Sequence, residues 1–170
     1  MLELRDYTDQ DKETVRHLYK ELFPAEERIP FSFLLRKNGK DCRILVCEEE
    51  GKTVGFTVVF LSEELVCLAY LAVVKERQDE GLGSAILAML AREYGDRPMV
   101  VDIEECSEEY PERLRRKEFY LRAGFRDTGI RCWLYGVDYE LLSLGGPVTM
   151  EMFRRCMGYS RAMAVERKQA

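Results

Sequence analysis

The chain has 170 residues, 46% of them apolar and 34% charged, which suits one soluble globular domain, alone or with an appendage, able to bury a substantial core. Its net charge of −5 speaks against nucleic acid and anionic membrane as partners and is compatible with a basic acceptor. Six cysteines, Cys42, Cys47, Cys67, Cys106, Cys132 and Cys156, form no CxxC, and the only histidine is His17, so no metal site is expected.

Leu2 and Leu4 alternate with polar neighbours over Met1–Asp6, a short strand. Thr8 with Asp11 offers a capping-box start. Val15, Leu18 and Leu22 then recur at helical spacing with Tyr19 beside them, and Pro24 stops that helix. His17 lies next to the apolar stripe; with no second histidine for a dyad, it reads as a partly exposed structural residue. Pro30 can start a short helix, FSFLLRK, and Asn38-Gly39 reads as a turn. Arg43–Glu48 and Thr53–Leu61 are β-rich runs joined by a tight polar turn at Glu49–Lys52, a hairpin. Ser62-Glu63-Glu64 turns the chain into a central strand, Leu65–Val73.

The stretch QDEGLG, Gln78 to Gly83, follows that strand where a helix begins. The first N–H groups of a helix lack internal partners, and the peptide dipoles make that end attractive to an anion such as a phosphate. Gly81 and Gly83 let a ligand approach the backbone. The GxGxxG pattern fails at Ile86, and no GK[ST] follows for a Walker A loop. What fits is Gln or Arg, two residues, Gly, one residue, Gly or Ala, preceded by LAYLAVV. Here the chain resembles the GNAT superfamily of acyl-CoA-dependent N-acyltransferases. Three antiparallel strands followed by strand, loop and helix resemble the first half of that fold. The resemblance implies that Gln78, Asp79, Glu80, Gly81, Leu82, Gly83 and Ser84 hold the pyrophosphate of coenzyme A. It also implies that the backbone of Leu71, Ala72 and Val73 serves the pantetheine arm or the thioester carbonyl. The FSFLLRK helix would line the acceptor pocket, bringing Phe31, Phe33 and Arg36 to the substrate or leaving them as core and surface.

The helix from about Gly83 to Tyr94 reads as apolar nearly all round, through Ile86, Leu87, Met89 and Leu90, and hence buried. Gly95 and Pro98 close it. Met99–Ile103 is the next strand, parallel to the central one because a helix connects them. Glu104 to Glu109 is an acidic loop, and Pro111 starts a helix that runs to about Ala123 with Gly124 after its end. FYLRAGF, Phe119–Phe125, is the second resemblance: family members commonly place a tyrosine four residues before Gly-Phe, as Tyr120 stands before Gly124-Phe125. Two strands follow, near Phe125–Ile130 and Cys132–Tyr139, with Gly129 and Arg131 at their junction. After Leu144, Gly145-Gly146-Pro147 breaks the chain, and Thr149 caps a helix with Met150, Phe153 and Met157 on one side. This extension can pack on the domain, cover the acceptor side or meet a second subunit in a homodimer.

The expected architecture is therefore α/β, a GNAT-like mixed sheet of about seven strands with flanking helices, in residues 1–144, and a C-terminal helical extension in 145–170. The expected reaction moves an acetyl group from acetyl-CoA to a primary amine of a small molecule or peptide. Tyr120 is the candidate acid for the leaving thiolate. The base is less defined, because Leu65 to Val74 lacks the glutamate that many family members carry there, and Cys67 falls near its place. Glu104 is the substitute, acting through a water; Glu105 competes with it, and an acceptor of low pKa needs neither. Arg113, Arg115 and Arg116 read as a solvated face, one of which can meet the acidic loop or the 3′-phosphate of coenzyme A. A non-catalytic acyl-CoA-binding module is the alternative. No secretory signal opens the chain and no apolar run reaches membrane-spanning length, so a cytoplasmic setting with free thiols is expected.

Overall fold

Alternating apolar residues early in the chain build an antiparallel sheet. The structure, a computed structural model, describes residues 1–134, 136–158 and 165–167. The chain divides into two compact units, Met1–Phe60 with Ala69–Leu90 and Leu61–Leu68 with Ala91–Ala170. Among the described residues, eight strands form one mixed sheet, in the order β1 (Leu2–Asp6), β2 (Cys42–Glu49), β3 (Lys52–Leu61), β4 (Val66–Val73), β5 (Met99–Glu104), β7 (Val137–Leu144), β6 (Arg126–Leu134), β8 (Val165–Arg167).

In the first unit, β1 (Leu2–Asp6) pairs antiparallel with β2 (Cys42–Glu49), and β2 pairs antiparallel with β3 (Lys52–Leu61). The β2–β3 turn takes positive φ at Glu50 and Gly51, the left-handed geometry that a tight hairpin requires. The Thr8 N–H donates to Asp11 Oδ2 at 2.7 Å, completing the capping box ahead of α1 (Lys12–Leu22). Val15, Leu18 and Tyr19 are the buried face of α1, while His17 is exposed beside Glu21. Tyr19, Phe23, Phe56 and Tyr70 meet edge-on or tilted, with centroids 4.9 to 6.5 Å apart. The Tyr70 hydroxyl donates to Glu27 O and accepts the Ile29 N–H, both at 2.8 Å, which fixes the approach to α2 (Phe31–Lys37).

β4 (Val66–Val73) is divided between the two units. α3 (Leu82–Glu93) follows it and buries Leu82, Ile86, Leu87 and Leu90. The expectation of a helix apolar nearly all round is corrected: Ser84 and Ala88 are exposed and Met89 is only half-buried. Small residues raise the apolar average of α3 without lying in the core.

In the second unit, β4 pairs parallel with β5 (Met99–Glu104) through Val66↔Met99 and Cys67↔Val100. α4 (Pro111–Arg122) has proline at its start, and Gly124 follows with φ of +97°. The next two strands differ from expectation. β6 runs unbroken from Arg126 to Leu134, and β7 spans Val137–Leu144. Gly129 is a bulge inside β6, where the pairing with β7 shifts between Asp127 and Arg131 and Gly129 N–H donates to Asp127 Oδ1 at 2.9 Å. Of the expected strand Cys132–Tyr139, Tyr135 lies outside the described residues.

Thr149 Oγ1 accepts the Met152 N–H at 3.2 Å and starts α5 (Met150–Met157). α5 packs on its own unit: Met150, Phe153, Cys156 and Met157 are buried, and Arg155 meets Glu64 at 2.7 Å. The eighth strand, β8 (Val165–Arg167), pairs antiparallel with β6, where only helix was expected. The remainder of the expected helical extension, 159–164 and 168–170, lies outside the described residues.

Candidate active site

After Val73 the chain makes a single 3-10 turn, Lys75–Arg77, and leaves it through an extended Gln78. Asp79 and Gly81 take φ of 65° and 82°, so the loop doubles back before Leu82 opens α3. Such backbone suits glycine, and aspartate tolerates it better than most residues. Ala85 N–H donates to Gly81 O at 3.0 Å, the first rung of the helix. Among the described residues, the amides of Gly81, Leu82, Gly83 and Ser84 have no protein acceptor, as the geometry of a helix start dictates. A methyl group placed on Gly81 would meet nothing within 4 Å, so the space beside that residue is open.

Side chains hold this loop from the outside. Gln78 Nε2 donates to Val73 O at 3.0 Å, folding its side chain back onto the end of β4. Arg77 pairs with Glu80 and, at 2.8 Å, with Glu49 of β2. The pairing compensates the charge of Glu80, which would otherwise oppose an incoming anion. Lys75 reaches Glu21 of α1 at 3.0 Å. Ala72 is buried, while Leu71 and Val73 are half-buried. The Ala72 carbonyl points at Gly55 of β3, where a Cβ would lie 2.2 Å from that oxygen. Gly55 thus permits a close backbone approach at the residue expected to serve the coenzyme; an isolated glycine inside a strand run was the available signal.

The remaining candidates belong to the second unit. Tyr120 is buried on α4, its ring edge-on to Phe119 and Phe125 at 5.1 and 5.4 Å. The Phe125 N–H donates to Tyr120 O at 3.1 Å, so the GF pair closes the helix against the tyrosine. Burial pushes the Tyr120 phenol above its ordinary value, Asp102 adds to the rise, and Arg116 opposes it. The phenol is therefore neutral at physiological pH and is suited to donating a hydrogen bond. Complete proton transfer to a thiolate is less favourable from such a phenol than from one with an ordinary pKa near 10.

Glu104 ends β5 half-buried, and its carboxylate is ion-paired with Arg113 of α4. Arg113 thus occupies the carboxylate that the sequence offers as the base. Arg113 also stacks over Tyr110 at 4.0 Å and donates to Glu105 O at 3.4 Å, so of the three arginines it is Arg113 that meets the acidic loop. Glu105 N–H donates to Asp138 O at 2.8 Å. On α2, the Arg36 guanidinium lies 5.9 Å from the Phe33 ring centroid, and Phe31 lies 5.9 Å from Tyr19. Cys67 is buried, and its hydrogen bond with Cys156 of α5 draws the Cys156 thiol below its ordinary range against the effect of burial. Burial pushes Cys42 and Cys47 up to about 12. Among the described residues, no three His, Cys, Asp or Glu side chains group as metal ligands, and no helix is long and apolar enough to cross a membrane.

The candidates thus fall into two sets. Leu71 to Val73 and Gln78 to Ser84 lie in the first unit, Glu104 and Tyr120 in the second. Residues 40–127 match the acetyltransferase (GNAT) domain family. Among solved structures, a Bacteroides thetaiotaomicron protein assigned to the GNAT acetyltransferases is 18% identical with a TM-score of 0.73, over 95% of this chain and 97% of that one. The ribosomal-protein-S18-alanine N-acetyltransferase from Escherichia coli is 19% identical, TM-score 0.68, over 89% and 97%. Arabidopsis thaliana NAA60 in complex with acetyl-CoA is 16% identical, TM-score 0.68, over 85% and 98%. At these identities the likeness shows a shared fold. No curated protein sequence matches the chain.

Proposed function

Because this chain belongs to the GNAT acetyltransferase family, we propose that it transfers the acetyl group of acetyl-CoA directly to a primary amine within a ternary complex. The amine belongs to a small molecule or a peptide; the similar Escherichia coli structure is that of a ribosomal-protein-S18-alanine N-acetyltransferase. The observation that carries the reading is the turn at Gly81: four successive amides without a protein acceptor, at a helix start that follows β4 after a single 3-10 turn, with open space beside Gly81. Amides at a helix start form a ready site for a diphosphate. Gln78 to Ser84 hold that group, with Gln78 fixing the loop and the backbone of Asp79 to Ser84 meeting the oxygens. Leu71, Ala72 and Val73 offer backbone groups to the pantetheine arm, and one of their N–H groups stabilises the developing oxyanion. In this reading 1–144 carry the chemistry, 145–170 are an extension able to serve a homodimer, and the protein acts in the cytoplasm.

The acceptor nitrogen, neutral when it attacks, adds to the thioester carbonyl carbon. The C–S bond then breaks, the electron pair leaves on sulfur, and the new amide nitrogen gives up a proton. The Tyr120 phenol donates its hydrogen bond to the departing sulfur. Glu104 receives the nitrogen's proton through a water when Arg113 releases it. Glu105, or no residue at all for an acceptor already neutral, are the competing assignments. Holding the two substrates together supplies much of the rate.

One observation favours a second reading. β4 carries no carboxylate and Glu104 is occupied by Arg113, so a non-catalytic acyl-CoA-binding module retains a basis. Free-thiol release from acetyl-CoA, measured across a broad amine panel, separates the two. Release with at least one amine supports the transferase; binding of acetyl-CoA with no release across the panel supports the module.

A further inference from the structure

α4 presents charge to its own unit. Arg113, Lys117 and Tyr120, at i, i+4 and i+7, form its inward stripe, while Leu114 and Leu121 remain 49% and 41% exposed. Lys117 Nζ lies 2.7 Å from Glu140 Oε1 of β7 and 3.2 Å from Asp127 Oδ2 of β6. Arg131 Nη2 reaches the same Glu140 oxygen at 2.9 Å and Asp127 Oδ2 at 2.9 Å. The second Glu140 oxygen accepts the Cys106 N–H at 3.1 Å. Glu140 is only 2% exposed. Burial alone would push its carboxyl up, but Lys117, the Cys106 amide and Arg131 outweigh burial and hold it below its usual range. One buried carboxylate therefore ties α4, β6 and the β5–α4 connection together.

We infer that the Glu140–Lys117 pair positions Tyr120, setting the rotation and height of α4 so that the phenol is presented in one place. The inference rests on the proposed role of Tyr120. Lys117 precedes Tyr120 by three residues, about 4.5 Å along the axis at 1.5 Å per residue. The ring's own aromatic contacts are local, Phe119 on the same helix and Phe125 at the entry to β6, and they bear on the C-terminal end of α4, whereas the Lys117 pair reaches β7 one turn earlier. A buried ion pair contributes little net stability over an apolar replacement, whereas it is directional and specifies geometry. Displacing a reacting group by about 1 Å can cost about 100-fold in rate.

The test uses the full chain with isotope-labelled tyrosine, the Tyr120 resonance being assigned by its loss in Tyr120→Phe. Glu140→Gln and Lys117→Met are expected to shift that resonance and leave the other tyrosines in place, and Lys117→Arg to return it toward the wild-type position. With acetyl-CoA and any amine that is turned over, both disruptive variants are expected to lower kcat about tenfold with KM for acetyl-CoA within about twofold, and to lower it no further in a Tyr120→Phe background. An unmoved Tyr120 resonance in folded Lys117→Met, or a full additional loss in the Tyr120→Phe background, overturns the inference. Unfolding of Lys117→Met overturns it as well, because the pair would then carry the fold rather than the ring. Wild-type turnover by Tyr120→Phe would instead remove the chemistry assigned to Tyr120 and leave the resonance test intact.

Discussion

α3 and α4 are both twelve residues long, and they are mounted in opposite ways. α3 buries four leucine and isoleucine side chains along one stripe and offers backbone amides at its first turn. α4 buries one tyrosine, and the half-buried Arg113 and Lys117 on the same stripe are each held by a carboxylate. The contrast follows from the chemistry each helix is proposed to supply. Amides at a helix end keep their direction as long as the axis is fixed, and non-directional apolar packing suffices for that. A phenol acts from one rotation of its helix only, and directional ion pairs can select that rotation.

Changes aimed at one mount at a time test this contrast. Leu90→Ala should have the largest effect, destabilising the fold by about 3 kcal/mol through lost burial and a cavity, read by chemical denaturation. A loss under about 1 kcal/mol would mean that packing is not what holds α3. Gly83→Glu should leave stability near wild type and weaken acetyl-CoA binding about 100-fold, because a carboxylate then stands in front of the amides; calorimetric titration checks it. Tyr120→Phe should lower kcat about 50-fold with acetyl-CoA affinity unchanged, and equal turnover would remove the phenol from the reaction.

The smallest expected effect concerns acid. Arg131 holds the Asp127 carboxyl below its usual range, and Lys117 and the Cys106 amide hold Glu140 below its own against the effect of burial. A depressed folded-state value means stability that is present above the unfolded carboxyl range, about pH 4, and is lost as pH falls through the folded values. Native-state hydrogen exchange should therefore show α4 amides losing protection below about pH 4 before those of α3. Loss of protection in both helices at the same pH would deny that α4 depends on charge.

Much of the fold was legible because local chemistry and tertiary structure agree. Thr8 with Asp11, Pro111, Gly124 and Thr149 mark helix ends, and they stand at helix ends in the structure. The glycine turn at residues 78–84 was legible for the same reason, although its role in binding is still a proposal. Where a residue type has two structural meanings, reading failed. Gly129 suits a turn or a bulge, and only the bond from Gly129 N–H to Asp127, with the shifted β6–β7 register, decides for the bulge. β8 is three exposed residues without alternation that could be read, and it exists through pairing with β6. The Arg113–Glu104 pair and the Glu140 network join residues 9 to 34 positions apart across loops, beyond any periodicity. Within YELL, Glu140 reads as an ordinary outward strand residue, yet it is buried because its partners come from three other segments.

The direct measurement is a titration of acetyl-CoA into nitrogen-labelled protein, following the amide resonances of Gly81, Leu82, Gly83 and Ser84. Saturable shifts of these four amides at micromolar ligand, absent in Gly83→Glu, are the predicted result. Binding that leaves all four unmoved, or no binding, would contradict the account.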